Sequence, residues 1–108
     1  MIDLPAPVAA YFDAVNAHDH ESAVACFAPA AVVADDGHTR IGLDAIRQWI
    51  KGAIAQYRMT SEIVSAKQTA TATKVAANVS GTFPGSPITF HYTFTTAGDH
   101  ISTLLIRT

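Results

Sequence analysis

The chain has 108 residues, of which 49% are hydrophobic, so it has room for one domain with one core and is too apolar to be intrinsically disordered. Its formal net charge is −2, and its seven basic residues form no cluster, which argues against a nucleic-acid-binding or membrane-surface protein. Charged residues make up only 15% of the chain, against about 25% in an average soluble domain, and we therefore expect part of the surface to be hidden from water.

The first half of the chain is predicted to form three helices. The first covers Pro5 to Ala17, where apolar side chains recur at helical spacing on one face. A second, short helix follows its predicted N-cap Asp19, carries Phe27 inward and ends before Pro29, which cannot continue a helix. The third helix opens at Gly42 and runs to about Tyr57, again with one apolar face.

Strands are predicted between the second and third helices and throughout the second half. Ala31 to Ala34 is a short apolar strand, which the Asp36-Gly37 turn connects to a returning strand at Thr39 to Ile41. From Met59 onward, threonine, valine and aromatic residues dominate, which is typical of strands. The four strands predicted there are Ile63 to Lys67, Thr73 to Phe83, Ile88 to Thr95 and Ile101 to Arg107.

Antiparallel hairpins that follow a helical half are typical of the α+β fold class. We expect a cone-shaped fold in which a strongly bent antiparallel sheet wraps around the three helices of the N-terminal half and encloses a cavity. No repeat or linker divides the sequence, so residues 1–108 are expected to form a single domain. Alternation in the strand from Ile88 to Thr95 turns Tyr92 toward the cavity and His91 toward the outer face.

Three segments carry a resemblance to a known family. They are Ala9 to Asp19 (AAYFDAVNAHD), Cys26 to Asp35 (CFAPAAVVAD) and Gly42 to Ile46 (GLDAI). In their order and spacing, they resemble the nuclear transport factor 2-like superfamily and, within it, the SnoaL-like polyketide cyclase and ketosteroid isomerase group. The resemblance covers almost the whole chain and implies the same cone-shaped fold.

The resemblance also implies roles for two residues. Tyr11 matches the tyrosine of the isomerase oxyanion hole, and Asp35 matches the aspartate general base at the same separation along the chain. A third position, a protonated aspartate on a late strand, is not matched. An ungapped alignment places His91 there, whereas a shift of one residue places Tyr92 there, and strand alternation favours Tyr92. The fold also serves proteins that catalyse nothing, so it does not by itself establish activity.

Asp35 is also the leading candidate for a catalytic residue when the sequence is considered without the family resemblance. A carboxylate at the end of an apolar strand that faces a cavity is partly desolvated and can take a proton from the carbon next to a carbonyl group. A buried phenol such as Tyr11 or Tyr92 can donate a hydrogen bond to the resulting enolate oxygen. The alternative is a structural role, in which Asp35 begins the turn in water and Tyr11 belongs to the core.

The other candidate ligand-binding residues are mostly apolar. Trp49 lies beside the apolar face of the third helix, either at the mouth of the pocket or packed against the core. Because few charges accompany this lining, the expected ligand is a small hydrophobic compound with a carbonyl group. The predicted ligand-binding set is Phe12, Val15, Trp49, Phe90, His91 and Tyr92.

Metal and cofactor sites are not indicated. The five histidines lack zinc-ligand spacing, and the dispersed glycines form no phosphate-binding loop. Cys26, the single cysteine, excludes an internal disulfide and is expected to be an inert buried thiol. An acidic residue stands where a signal peptide carries positive charge, and no apolar run is long enough to span a bilayer. We therefore expect a cytoplasmic protein that needs no cofactor or metal.

Two functions are consistent with these features. The first is an enzyme that uses Asp35 for isomerisation, aldol-type cyclisation or water addition. The alternative is a non-catalytic homodimeric ligand-binding or assembly module with the same fold. In either case, the threonine-rich outer face of the sheet, with His91, is available to a second copy of the chain. Its side chains are polar but uncharged, so they can be buried without leaving unpaired charges in the interface. This would explain the small number of charged residues in the chain.

Overall fold

Three helices and six strands form the fold in the computed structural model, which describes residues 4–35 and 37–108. The strands form one curved sheet in the order β2-β1-β6-β5-β4-β3, and the helices pack on its inner side. The α+β fold class is confirmed. The elements are α1 (Ala6–Asn16), α2 (His20–Val24), β1 (Phe27–Asp35), β2 (His38–Ile41), α3 (Leu43–Tyr57), β3 (Thr60–Gln68), β4 (Thr73–Ser80), β5 (Ile88–Ala97) and β6 (His100–Arg107).

The sheet contains one parallel pair that the sequence did not reveal. β1 and β6 run parallel, whereas the other neighbouring strands of the described chain run antiparallel. Asp35 pairs with Ile106 at the ends of these two strands. The last residue of the first strand therefore lies beside the end of the last strand, which brings distant parts of the chain to one end of the sheet.

The second helix ends earlier than predicted. Asp19 caps it as expected, since its side chain accepts a hydrogen bond from a backbone N–H of the first turn at 3.2 Å. The helix ends at Val24, however, so the placement of Phe27 in this helix was wrong, and Phe27 begins β1. The Ile101 N–H donates to the Cys26 carbonyl at 2.8 Å, and this contact directs the chain into the sheet.

The first strand is longer than the predicted Ala31 to Ala34 because Pro29 does not interrupt it. The pairing of β1 with β6 shifts register between Phe27 and Val32, so the missing N–H of Pro29 falls where the ladder is already irregular. Beyond this bulge, β1 pairs with β2 as the predicted hairpin. Asp36, from the predicted turn, lies outside the described residues.

The loop after β4 is tied to the end of α3. β4 ends at Ser80 rather than at the predicted Phe83, because the next backbone groups bond elsewhere. The Gly81 N–H donates to Ser86 Oγ at 2.9 Å, and the Thr82 N–H donates to the Tyr57 carbonyl at 2.8 Å. A Cβ at Gly81 would collide with that same carbonyl, so only glycine permits this close approach.

An aromatic cluster joins α1 to the inner face of the sheet. Phe94 is fully buried, and its ring centroid lies 5.7 Å from those of Tyr11 and Phe12 and 5.9 Å from that of Tyr92. Edge-to-face and offset contacts of this kind stabilise a core beyond the area that they bury. The predicted alternation of β5 is confirmed, since Tyr92 and Phe94 are buried while His91 is exposed.

Candidate active site

A cavity of about 560 Å³ lies between the sheet and helices α1 and α3. This volume is in the range of small-molecule binding sites. Its apolar and aromatic lining is supplied by Tyr11, Val15, Trp49, Ala53, Tyr57, Met59, Phe83, Phe90, Tyr92 and Ile106. Its polar and charged lining residues include Asp35, His38, Arg40, Gln48, Gln56, Ser61 and Arg107. The wall is therefore mostly apolar, with a small number of groups that could orient a ligand.

Asp35 is half-buried in the wall of this cavity. It lies on the same face of β1 as the fully buried Val33, because side chains two residues apart in a strand point the same way. Trp49, from α3, donates a hydrogen bond from Nε1 to Asp35 Oδ2 at 3.1 Å. This bond fixes the orientation of the carboxylate and covers one of its oxygens with an apolar ring.

Two buried phenols accompany Asp35. Tyr11 and Tyr92 are each only 6% exposed. Burial raises the pKa of both side chains, and the negative charge of Asp35 raises both further. Tyr92 is the second cause of the raised pKa of Tyr11, after burial. Both hydroxyl groups therefore stay protonated at neutral pH and can donate hydrogen bonds beside a carboxylate.

A reciprocal pair of hydrogen bonds holds α1 against the cavity wall. Asn16 Nδ2 donates to the Ser61 carbonyl at 2.9 Å, and the Ser61 N–H donates to Asn16 Oδ1 at 2.7 Å. The Ser61 side chain also lowers the pKa of Tyr92, against the larger effect of burial. Asn16 thus fixes the helix that carries Tyr11, and Ser61 reaches the second phenol.

Arg40 is a positively charged residue of the cavity wall that the sequence analysis did not identify as a site residue. It projects from β2 opposite Val33, so it shares the inner face with Asp35. Its guanidinium carbon lies 5.6 Å from the centroid of the Trp49 ring, within the range of a cation–π interaction. Its Nη1 is buried and has no hydrogen-bond partner among residues 4–35 and 37–108.

The structure brings six of the eight predicted site residues into the wall of the cavity. They are Tyr11, Val15, Asp35, Trp49, Phe90 and Tyr92. Trp49 lines the cavity and also packs against the core, so both positions left open for it describe it. The placement of Phe12 and His91 in the pocket was wrong. Phe12 lies in the core beneath it, with its ring centroid 5.1 Å from that of Tyr92. His91 is exposed on the outer face because strand alternation turns it away from its neighbour Tyr92.

Metal-binding groups are not clustered in the part of the chain that the structure describes. No three His, Cys, Asp or Glu side chains among these residues lie close enough together to hold an ion. Cys26 is buried, and burial raises the pKa of its thiol, in agreement with the expected inert residue. None of the described helices combines the length and apolar character needed to cross a membrane. The cytoplasmic location stays a prediction.

Comparison with known proteins finds the same fold in solved structures. A candidate polyketide cyclase from Sinorhizobium meliloti has a crystal structure that matches with a TM-score of 0.93 at 38% identity, over 97% of this chain and 96% of that protein. A protein with a ketosteroid isomerase-like fold from Catenulispora acidiphila, crystallised in complex with trimethylamine, matches with a TM-score of 0.86 at 19% identity. That likeness covers 98% of this chain and 87% of the other and shows the fold alone.

Three further comparisons complete the assignment. An uncharacterised cystatin-fold protein from Novosphingobium aromaticivorans matches with a TM-score of 0.80 at 24% identity, over 94% of this chain and 95% of that one. No curated protein shows significant similarity to the sequence. The family model of the SnoaL-like domain matches residues 8–102, which include the cavity residues of α1, α3, β1, β2, β3 and β5. The chain belongs to the SnoaL-like domain family.

Proposed function

We propose that this protein binds a small hydrophobic carbonyl compound in its cavity and transfers a proton at the carbon next to the carbonyl group. The observation that carries the proposal is the position of Asp35, whose carboxylate lies in an apolar wall beside two protonated phenols. A base and hydrogen-bond donors for the developing negative charge are the two elements that enolate chemistry requires.

The reaction follows from these positions. Asp35 takes a proton from the α-carbon of the ligand, and the electron pair of the broken C–H bond moves onto the carbonyl oxygen. Tyr11 or Tyr92 donates a hydrogen bond to that oxygen. The proton then returns from Asp35 to a different carbon, which is isomerisation. In an aldol-type cyclisation, the enolate carbon instead attacks a second carbonyl group of the same molecule while the first carbonyl re-forms, and the new alkoxide takes the proton back from Asp35.

The similarity to a candidate polyketide cyclase supports cyclisation as one outcome. The size of the cavity supports it too, since about 560 Å³ leaves room for a compound of several fused rings. Trp49 acts as a positioning residue in this proposal, because its N–H fixes Oδ2 of Asp35 and leaves Oδ1 to take the proton. No step of this proposed reaction requires a cofactor or a metal.

The test uses 2-tetralone, a neutral bicyclic ketone with acidic α-protons. In deuterated buffer with the wild-type protein, we expect its α-protons to exchange faster than in buffer alone, as measured by proton NMR. 2-Naphthol resembles the enol of this ketone and should compete, because it places a hydroxyl where the enolate oxygen would lie. If 2-naphthol binds and no exchange occurs, the protein is a non-catalytic binding module. If neither compound binds, the proposed ligand class is wrong.

We also propose that the outer face of the sheet pairs with a second copy of the chain. Ile41 is 69% exposed and Leu105 is 41% exposed, and both lie on this face, where Leu105 pairs with Thr93 of β5 and Ile41 pairs with Val32 of β1. Exposed apolar side chains are typical of a contact surface. Sedimentation at micromolar concentration should give about twice the mass of 11.4 kDa, and Leu105→Glu should give the monomer. A monomeric wild type would contradict the pairing.

A further inference from the structure

The cavity wall holds a cation that no described carboxylate neutralises. The ion pairs of the described chain join Arg47 to Glu21 and Asp44, and His20 to Glu21, and Arg40 takes part in none of them. Its Nη1 is buried without a hydrogen-bond partner among residues 4–35 and 37–108. A buried guanidinium donor without an acceptor is unfavourable, so an acceptor that arrives with a ligand would be bound strongly.

Arg40 forms no ion pair with the described side chains even though an acidic one lies within its reach. Its partner in the β1–β2 pairing is Val33, so Asp35 is its diagonal neighbour on the same face, at about 7–8 Å between backbone positions. An arginine at that distance could reach the carboxylate. The ion pair between these two described residues is not formed, and Trp49 contacts both groups instead. Its ring packs against the guanidinium, and its N–H donates to Asp35 Oδ2.

The inner face of the sheet carries a basic side chain that can recognise an acid. Arg40 and Asp35 both lie on this face, whereas Arg107 pairs with His91 and therefore lies on the outer face. The guanidinium of Arg40 presents a planar fork that fits a carboxylate.

We infer that Arg40 is the binding site for a carboxylate on the ligand, so that the physiological ligand is a hydrophobic carbonyl compound that is also an acid. The inference rests on the proposed function, since it deepens the same site. The ligand carboxylate binds on the Arg40 side of Trp49, and the carbon that loses its proton lies on the Asp35 side. The two groups of the ligand are therefore separated by at least the indole ring, and its body contacts the aromatic lining.

A charge-matched pair of probes tests this site. The probes are 5,6,7,8-tetrahydro-2-naphthoate and its neutral carboxamide, and titration calorimetry measures their dissociation constants. We expect the wild-type protein to prefer the acid over the amide by about 10- to 100-fold, since a buried hydrogen-bonded charge pair is worth that much. In Arg40→Gln, the ratio of the two affinities should fall toward one.

Two further variants keep the test decisive. Arg47→Gln removes an arginine that lies outside the cavity and should leave the preference for the acid as in the wild type. Arg40→Lys keeps the charge without the fork and should retain part of the preference, which provides a readout if Arg40→Gln does not fold. Equal affinity of the wild type for acid and amide, or an equal loss of preference in Arg47→Gln, would overturn the inference. An acid preference without 2-tetralone exchange would count against the catalytic proposal alone.

Discussion

Replacing Asp35 by asparagine should slow the exchange of 2-tetralone α-protons by about 10²- to 10⁴-fold, the usual contribution of a positioned general base. Asparagine has nearly the same shape as aspartate, and its side-chain oxygen can still accept the hydrogen bond that Trp49 donates at 3.1 Å. The cavity should therefore keep its form and continue to bind 2-naphthol. What is lost is the group that takes the proton, and proton NMR in deuterated buffer measures that loss directly.

The matched control is Asp13→Asn. Asp13 is an exposed carboxylate on α1, outside the cavity wall, and its replacement makes the same chemical change at a distance from the ligand. Exchange in Asp13→Asn should stay close to the wild-type rate. If the exchange rate in Asp35→Asn equals that in Asp13→Asn, Asp35 is not the general base, even if the protein does catalyse the exchange.

Phe94→Ala should lower the free energy of unfolding by about 3–5 kcal/mol, the range found when a large aromatic side chain is removed from a core. Phe94 is fully buried, and its ring contacts those of Tyr11, Phe12 and Tyr92, so nothing nearby can move in to fill the space without breaking other contacts. A loss of this size is a large fraction of the stability of a small domain. Urea denaturation followed by circular dichroism should show a clearly lower midpoint.

Leu105→Ala provides the comparison for Phe94→Ala. Leu105 is 41% exposed on the outer face, so its truncation in the monomer removes less buried area and leaves no closed cavity. Leu105→Ala should lower the urea midpoint much less than Phe94→Ala does, when unfolding is measured on the dilute, monomeric protein. Similar midpoints for the two variants would mean that the aromatic cluster does not dominate the stability of the fold.

Local patterns allowed most of the fold to be predicted. The helical spacing of apolar residues identified α1 and α3, and the strict alternation of β5 placed Tyr92 inside and His91 outside. The error at Phe27 has a different origin. Its assignment depended on contacts with Ile101 at the other end of the chain, and such distant pairing leaves no periodic signal near Phe27. The parallel pairing of β1 with β6 was missed for the same reason.

Site residues could be predicted only where one residue differed in character or position from the rest of its helix or strand. Asp35 ends an apolar strand and Tyr11 lies on an apolar helix face, so both were visible in the sequence. Arg40 was not, because a charged residue in a short hairpin strand is ordinarily solvated, and only the packing of α3 over β2 covers it. The pairing of Asn16 with Ser61 likewise joins residues 45 positions apart, which no spacing rule indicates.

The hydrogen bond between Trp49 and Asp35 has a practical consequence. Trp49 is the single tryptophan of the chain, and it touches both the carboxylate and the guanidinium of the cavity. Its fluorescence therefore arises entirely from the place where a ligand would enter, and displacement of solvent or a change in either neighbouring charge would alter its emission. The unmodified protein thus carries a built-in optical reporter of occupancy, suited to screening compounds that have no chromophore of their own.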